Sequence, residues 1–208
     1  MCIGGGPGAT AEAVGLTRAR PASRPPVRVI AVNDAYLLAP WAEICYFADY
    51  NWWQWQEKGI RRPGFTAEEV RERFARFAGQ KVTIENTGGM VRDPDVFMLH
   101  NYGNDGLSEK PNGLHTGSNG GHQAVNIAVL AGARKILLVG YDMRFPGGRS
   151  HWHNGHPYKV PEQRYGEYAR RFKTMLPQLE RLGVEVVNCT PGSAIACFRF
   201  GNLAEELA

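Results

Sequence analysis

LHTGSNGGHQAVNIAVLAGARKILLVGYDMR, residues 114–144, decides the fold. It reads as a glycine-rich turn, a helix, a second short turn and a strand, with an aspartate just past the strand's end. Ser118 or Asn119 supplies an oxygen that can cap the helix, and Gly117, Gly120 and Gly121 let a backbone or a ligand approach closely. Ala124, Ile127, Ala128 and Ala131 recur at helical spacing. Val125, Val129 and Leu130 make the opposite side apolar too, so burial around most of the circumference is expected. Gly132 ends the helix. Lys135-Ile-Leu-Leu-Val-Gly140 is then a continuous apolar run of the kind found in central parallel strands. Asp142 lands where ligands sit in open α/β sheets, outside the carboxyl ends of the strands.

The rest of the chain repeats this alternation. Met1-Cys-Ile leads into Gly4-Gly-Gly-Pro-Gly8, a strand of about three residues and a turn whose bare N–H groups can face phosphate oxygens. So short a strand is either a short edge of the site or the end of one that begins upstream. Residues 9–16 form the expected helix behind the turn, and 18–26 read as a loop. Residues 27–32, 44–47, 81–84, 96–99 and 184–187 are the further strands, and 35–38 make a single helical turn. Asn51-Trp-Trp-Gln-Trp55 is a packed core corner or the wall of a pocket for a flat ring. Thr66-Ala-Glu-Glu69 has the form of a capping box. It opens a helix with Val70, Phe74 and Phe77 on one face and the solvated Arg71, Arg73 and Arg76 on the other. A long helix over 162–182 turns Tyr165, Tyr168, Phe172, Met175, Leu176 and Leu179 inward, with a kink about one turn before Pro177. Residues 194–198 start a short terminal segment, and 100–117 and 144–161 are long loops of the functional kind.

Strands alternating with helices predict a Rossmann-like α/β fold, a single domain over residues 1–208. Its sheet is expected to be mostly parallel, with helices on both faces. Gly4 to Gly6, Asn33-Asp34, Asp49, Asp142 and Asn188 each follow a strand. In a parallel sheet those points share one edge, which predicts a common ligand crevice.

A chain of 208 residues with a net charge of +4 buries a substantial core. The charge permits a phosphorylated ligand or a polyanionic acceptor without requiring one. No run approaches the ~20 apolar residues of a membrane span. The amino terminus lacks a basic region followed by an apolar segment, and the expected location is cytoplasmic. Cys2, Cys45, Cys189 and Cys197 have no metal-finger or redox spacing and read as buried thiols of a reducing compartment.

Chemistry concentrates in Ser150-His-Trp-His-Asn-Gly-His-Pro157. His151, His153 and His156 in a glycine-rich loop do not form a zincin helix, and no cysteine is adjacent. A general base or a phosphate-binding histidine is therefore preferred to a metal site. Arg144, Arg149 and Lys159 flank them and suit the charge of a departing phosphate. The absence of a Walker A lysine motif and of a G-x-S-x-G elbow argues against P-loop NTPase and α/β-hydrolase chemistry. Asp34, Asp49 and Asp142 are each fit to bind ribose hydroxyls, hold a cation or cap a helix.

Five stretches together resemble a family of small phage and prophage proteins labelled morphogenetic or hypothetical. They are GGGPG at 4–8, VIAVNDAYLLAPWAEICYFADYNWW at 29–53, GSNGGHQAVNIAVLAGARKILLVGYDM at 117–143, HWHNGHP at 151–157 and VEVVNCTPGSAIACF at 184–198. The layout is also similar, more distantly, to the bacterial sialyltransferases that act on lipooligosaccharide. Their G-N-G-P-S turn, asparagine after the second strand, S-G turn, G-I-D-F strand end and downstream histidine base would correspond to Gly4–Gly8, Asn33, Gly117–Asn119, Gly140–Asp142 and one of the three histidines. Here Gly5 stands for the asparagine of that turn and Gly8 for its serine. A G-G-P-S turn and a G-x-D strand end are shared as well with the archaeal 6-hydroxymethylpterin diphosphokinase-like family, which transfers pyrophosphate from ATP.

These readings predict a nucleotide-dependent transferase, foremost a metal-independent glycosyltransferase-like enzyme using a CMP- or UDP-linked sugar. Gly4, Gly5, Gly6, Pro7, Gly8 and Asn33 would hold the nucleotide, with Asp34, Asp49, Gly117, Ser118 and Asn119 around it. Asp142 would form the far wall, His153 or His156 would deprotonate the acceptor, and Arg144 and Arg149 would stabilise the leaving phosphate. The resemblance to phage proteins points to a modified DNA base or a host glycan as acceptor. The alternatives are a Mg²⁺- and ATP-dependent diphosphokinase, and a non-catalytic virion or assembly protein that keeps a nucleotide-binding fold.

Overall fold

The computed structural model describes residues 1–18, 25–85, 89–158 and 160–208. Lys159 and most of the loop expected at 18–26 lie outside them. The strands are β1 (Cys2–Ile3), β2 (Ile30–Val32), β3 (Ile44–Tyr46), β4 (Gln80–Ile84), β5 (Val96–Gly103), β6 (Gly113–His115), β7 (Lys135–Val139), β8 (Glu185–Asn188) and β9 (Arg199–Phe200). The helices are α1 (Ala11–Gly15), α2 (Tyr50–Lys58), α3 (Ala67–Ala75), α4 (Gly120–Leu130), α5 (Glu162–Arg171), α6 (Leu176–Leu182) and α7 (Leu203–Leu207). The strands make one sheet in the order β6-β5-β4-β3-β2-β1-β7-β8-β9. Every neighbouring pair is parallel.

Alternating side chains split between the two faces, as the two-residue period of a strand requires. Ile3, Ala31, Cys45, Val139 and Val187 pack under Val14 of α1, Trp52 of α2, Val70 and Phe74 of α3, and Leu203 and Leu207 of α7. Cys2, Val32, Tyr46, Leu138 and Val186 face Ala124 and Ile127 of α4, Ala169 of α5 and Leu179 of α6. Both faces are covered at the central strands, so β2 and β7 read as apolar runs, while β5 and β9 toward the edges are largely exposed. Helix α4 is buried from His122 to Ala128, as its apolar circumference predicts. The capping box at Thr66 and Glu69 forms in both directions.

Four features depart from the pattern read in the sequence. Strand β1 is only two residues long yet lies mid-sheet, bonded to β2 on one side and β7 on the other. The polar stretch 100–117 is no simple loop: β5 continues to Gly103 and β6 forms at Gly113–His115. Asn126 of α4 organises the segment between them, accepting from Ser108 N–H at 2.8 Å and His115 N–H at 3.1 Å and donating to Ser108 O at 2.8 Å. Such long-range satisfaction of a loop backbone by a buried amide leaves no periodic trace. The helix over 162–182 is continuous but tightens to a 3₁₀ turn at Phe172–Met175, about one turn ahead of Pro177 as expected; Leu176, read as inward, is exposed. After residue 198 the chain makes β9 and α7. All four cysteines are free thiols, three of them buried. Among the described residues no helix is long and apolar enough to cross a membrane.

From β1 the chain moves outward to β6, returns to β7 on the other side of β1, and moves outward again to β9. Connections therefore diverge at the carboxyl ends of β1 and β7, which opens a crevice there. The backbone approach at this junction is close: Gly4 N–H donates to Val139 O at 2.8 Å, and a Cβ on Gly4 would stand 2.6 Å from Gly140 O. Gly4→Ala should therefore cost about 1–3 kcal/mol in urea unfolding. Gly15→Ala, in a helix with nothing within 4 Å of the new carbon, should gain about 0.5–1 kcal/mol.

Candidate functional site

The glycine turn and Asp142 meet at the switch point. Gly8 N–H donates to the Asp142 carboxylate at 2.9 and 3.2 Å, and Gly6 N–H donates to Gly140 O at 2.9 Å. A Cβ on Gly6 would lie 2.2 Å from Asp142 Oδ2, and one on Gly8 would lie 2.7 Å from Thr190 Cγ2. These glycines are thus required by the closeness of the β1 and β7 loops. Two of the N–H groups expected to face phosphate are spent inside the protein. Burial raises the Asp142 pKa, opposed by the hydrogen bond from Gly8.

Beside this junction a cavity of about 130 Å³, bordered by Gly4, Gly5, Gly6 and Asp142, runs into one of about 780 Å³. The two share Asn33, Asn119, Gly120, His151, His156, Tyr165 and Tyr168 as walls. The larger adds Asp49, Tyr50, Asn51, Glu85, Asn101 and Gln123, and its volume suits a nucleotide-sized ligand. Among the described residues this lining carries five side-chain amides and two carboxylates, with no lysine or arginine. Among the described residues, three non-glycine residues have left-handed backbones: Asn33 (φ 51), Ser118 (φ 59) and Met143 (φ 48). Each borders this crevice, where strained backbone commonly accompanies function. Asn33 Oδ1 is buried without a hydrogen-bond partner. Asn119 caps α4 by accepting from His122 N–H at 2.9 Å.

Asp34, one residue further, has another task. Its Oδ1 accepts from Trp52 Nε1 at 3.0 Å and Gln56 Nε2 at 3.3 Å, and its Oδ2 from Arg62 Nε and His153 Nε2, both at 2.8 Å. Burial alone would raise its pKa, but the bond from His153 and the charge of Arg62 more than offset this and hold it at about 2. Trp52 also stacks on Phe47 at 5.0 Å, so this part of the tryptophan cluster is core. Trp55 instead contacts His156 and Tyr158, behind the crevice wall, and none of the cluster's three tryptophans lines the crevice itself.

The histidine loop is fastened at several points. His153 is buried; its Nδ1 accepts from Gly155 N–H at 3.1 Å while Nε2 donates to Asp34. With both nitrogens occupied it positions the loop and has no lone pair for an acceptor. Arg62 Nη1 donates to Gly155 O at 3.0 Å, and Trp152 N–H to Gly5 O at 2.9 Å. His151 and His156 remain in the crevice, stacked with centroids 4.1 Å apart and planes 9° from parallel. His156 Nδ1 donates to Tyr158 O at 2.7 Å. The longer 3.3 Å approach of Tyr158 N–H to the same nitrogen cannot coexist with this, and the shorter bond decides. Nε2 is then the unprotonated nitrogen, the arrangement seen in basic imidazoles. Burial lowers both pKa values, that of His151 to about 3, so both rings are neutral at pH 7.

Several expected residues stand elsewhere. Arg144 lies over Gly192; neither it nor Arg149 lines the crevice, because the chain after Met143 turns toward the loop following β8. Pro7 and Gly8 sit behind the turn, and Gly117 packs against the His122 ring. Asn188 is buried, donating to Ile195 O at 3.1 Å and accepting from Thr190 N–H at 3.1 Å; it shapes a loop. Asp93-Pro-Asp95, a D-x-D spacing that was not among the expected residues, forms an exposed turn before β5, at the amino ends of the strands. Tyr165 and Tyr168, read only as inward helix positions, are crevice walls. Arg62 gave no signal at all. Among the described residues no group of three His, Cys, Asp or Glu is arranged to hold a metal ion.

Fold and site together define a parallel α/β protein of Rossmann-like layout with an open crevice at its switch point. Compared with models of protein families, with curated proteins and with solved structures, the chain matches none.

Asp34→Ala should cost about 3–5 kcal/mol, because Arg62 stays buried without its partner. The folded pKa of Asp34 lies below its unfolded value. Its contribution is therefore present above the ordinary carboxylate range and is lost as pH falls from about 5 toward 2. Urea melts of wild type and Asp34→Asn should accordingly converge as the pH is lowered through that window.

Proposed function

We propose that this protein is a nucleotide-dependent transferase, glycosyltransferase-like and metal-independent, with His156 as its general base. The observation that carries the reading is His156 itself. Its Nδ1–H is bound to a backbone carbonyl, and its neutral ring borders a crevice of about 780 Å³ at a parallel-sheet switch point, where such folds bind ligands. The amides of Asn33, Asn51 and Asn119 suit a nucleobase and sugar, and the unpaired Asn33 Oδ1 calls for a donor such as an exocyclic amine or a sugar hydroxyl.

An acceptor hydroxyl would give its proton to His156 Nε2. Its oxygen then bonds to the anomeric carbon of a nucleotide-linked sugar as the carbon–oxygen bond to phosphate breaks, and that electron pair leaves with the nucleotide. A glycan or a modified DNA base is the acceptor class we favour. Tyr165 and Tyr168 replace Arg144 and Arg149 as the groups beside the reacting atoms.

A thermal-shift screen with CMP- and UDP-sugars and with ATP, each with and without Mg²⁺, tests the proposal. Saturation at 100 times the dissociation constant adds about 2.7 kcal/mol. A shift with a nucleotide sugar that needs no Mg²⁺ supports it, one with ATP and Mg²⁺ favours a diphosphokinase, and none overturns it. His156→Ala should lower transfer by about 10²–10⁴-fold with little change in donor affinity. Because burial lowers the pKa of His156, the rate should stay level as pH falls from 8 to 6.5 and decline only below the ordinary histidine range.

A further inference from the structure

Next to the crevice lies a separate cavity of about 370 Å³, bordered by Ser118, Arg164, Glu167, Tyr168, Arg170 and Arg171. Ser118 and Tyr168 are walls of both spaces, so the two adjoin. The charge pattern is uneven. Among the described residues the crevice presents Asp49 and Glu85 without a lysine or arginine, and the glycine turn presents the Asp142 carboxylate. The three arginines of α5 stand in the neighbouring cavity against the one carboxylate of Glu167.

Arg171 is held in place from behind. It pairs with Asp105, and the Asn104 amide, turned so that its nitrogen faces the Thr116 and Ser118 hydroxyls, accepts from both terminal nitrogens of Arg171 at 3.1 and 3.2 Å. Arg164 leans on Tyr168. Neither Arg164 nor Arg170 forms an ion pair among the described residues. The amino end of α4 lies beside Ser118 and adds a partial positive charge.

We infer that this arginine cavity is the subsite for the phosphate or diphosphate of the ligand whose remaining part occupies the crevice. The inference rests on the nucleotide reading for the identity of that remaining part, and on charge for the phosphate. At the glycine turn the N–H groups of Gly6 and Gly8 are already used, and the charges of Arg144 and Arg149 already act on the Asp142 carboxylate that a phosphate would meet. In the arginine cavity it meets guanidinium forks suited to bidentate phosphate contact.

The test is calorimetric titration with inorganic pyrophosphate, followed by a nucleoside and its diphosphate. It is run on wild type, on the double variant Arg164→Gln/Arg170→Gln and on Arg181→Gln, an exposed charge removed elsewhere. We expect pyrophosphate to bind wild type and Arg181→Gln alike, and the double variant at least about tenfold more weakly. The diphosphate should exceed its nucleoside in affinity only where both arginines are present. Absence of pyrophosphate binding, or equal binding by the double variant, overturns the subsite. Pyrophosphate binding that needs the arginines, with no added affinity from any nucleoside, keeps the subsite and refutes the nucleotide reading.

Discussion

A carboxylate buried at the end of β2 must be paired or it cannot remain charged. Asp34 meets that requirement with partners from separate parts of the chain: Trp52 and Gln56 of α2, Arg62 ahead of α3, and His153 of the loop after β7. Removing any of them strands a charge or a donor in the interior. The consequence is geometric more than energetic, since a buried ion pair is weak evidence of net stability. The end of β2, the stretch from α2 to Arg62 and the loop after β7, distant from one another in sequence, are brought to one point. Arg62 then reaches on to Gly155, which sets His156 next to it in the chain and leaves that ring facing the crevice.

A second junction, Gly8 to Asp142, closes the sheet at the switch point. It changes the meaning of the glycine-rich turn. In a phosphate-binding turn the backbone N–H groups wait for an anion; here an internal carboxylate takes one of them and a carbonyl another. The turn is glycine-rich because its atoms approach those of Gly140, Asp142 and Thr190 too closely for a Cβ. The same junction sets the Asp142 carboxylate at this end of the crevice, opposed by the charges of Arg144 and Arg149, while three further arginines gather on α5. Trp152, bonded to Gly5, links the turn to the histidine loop, so both junctions bear on the placement of His151 and His156.

Much of the architecture was legible because burial imposes periodicity. The apolar circumference of α4, the run of β7 and the capping box of α3 each carry a local signature that the packing honours. The failures have local causes as well. The irregularity before Pro177 falls where it was expected, but the 3₁₀ turn there shifts the helical phase, and Leu176, read as inward, is exposed. The segment 100–117 looked featureless because its order comes from Asn126, a single amide on a helix the sequence marked only as apolar.

Residue types and spacing determined that strands and helices alternate, that the sheet is parallel and buried on both faces, and that Asn33, Asp49, Asp142 and the histidine loop gather at one edge. These follow from the chain itself, since hydrophobic period and strand-end chemistry are properties of short windows. Tertiary structure alone decided how the like-looking residues divide. Asp34 and His153 were taken into the interior and bound to each other, while His151 and His156 kept their place in the crevice. Arg144 and Arg149 stay out of the crevice lining and act on Asp142 by charge, while the arginines of α5 line the neighbouring cavity. Neighbouring residues of one type differ only in which distant group they meet, and that distance is fixed by the folded chain.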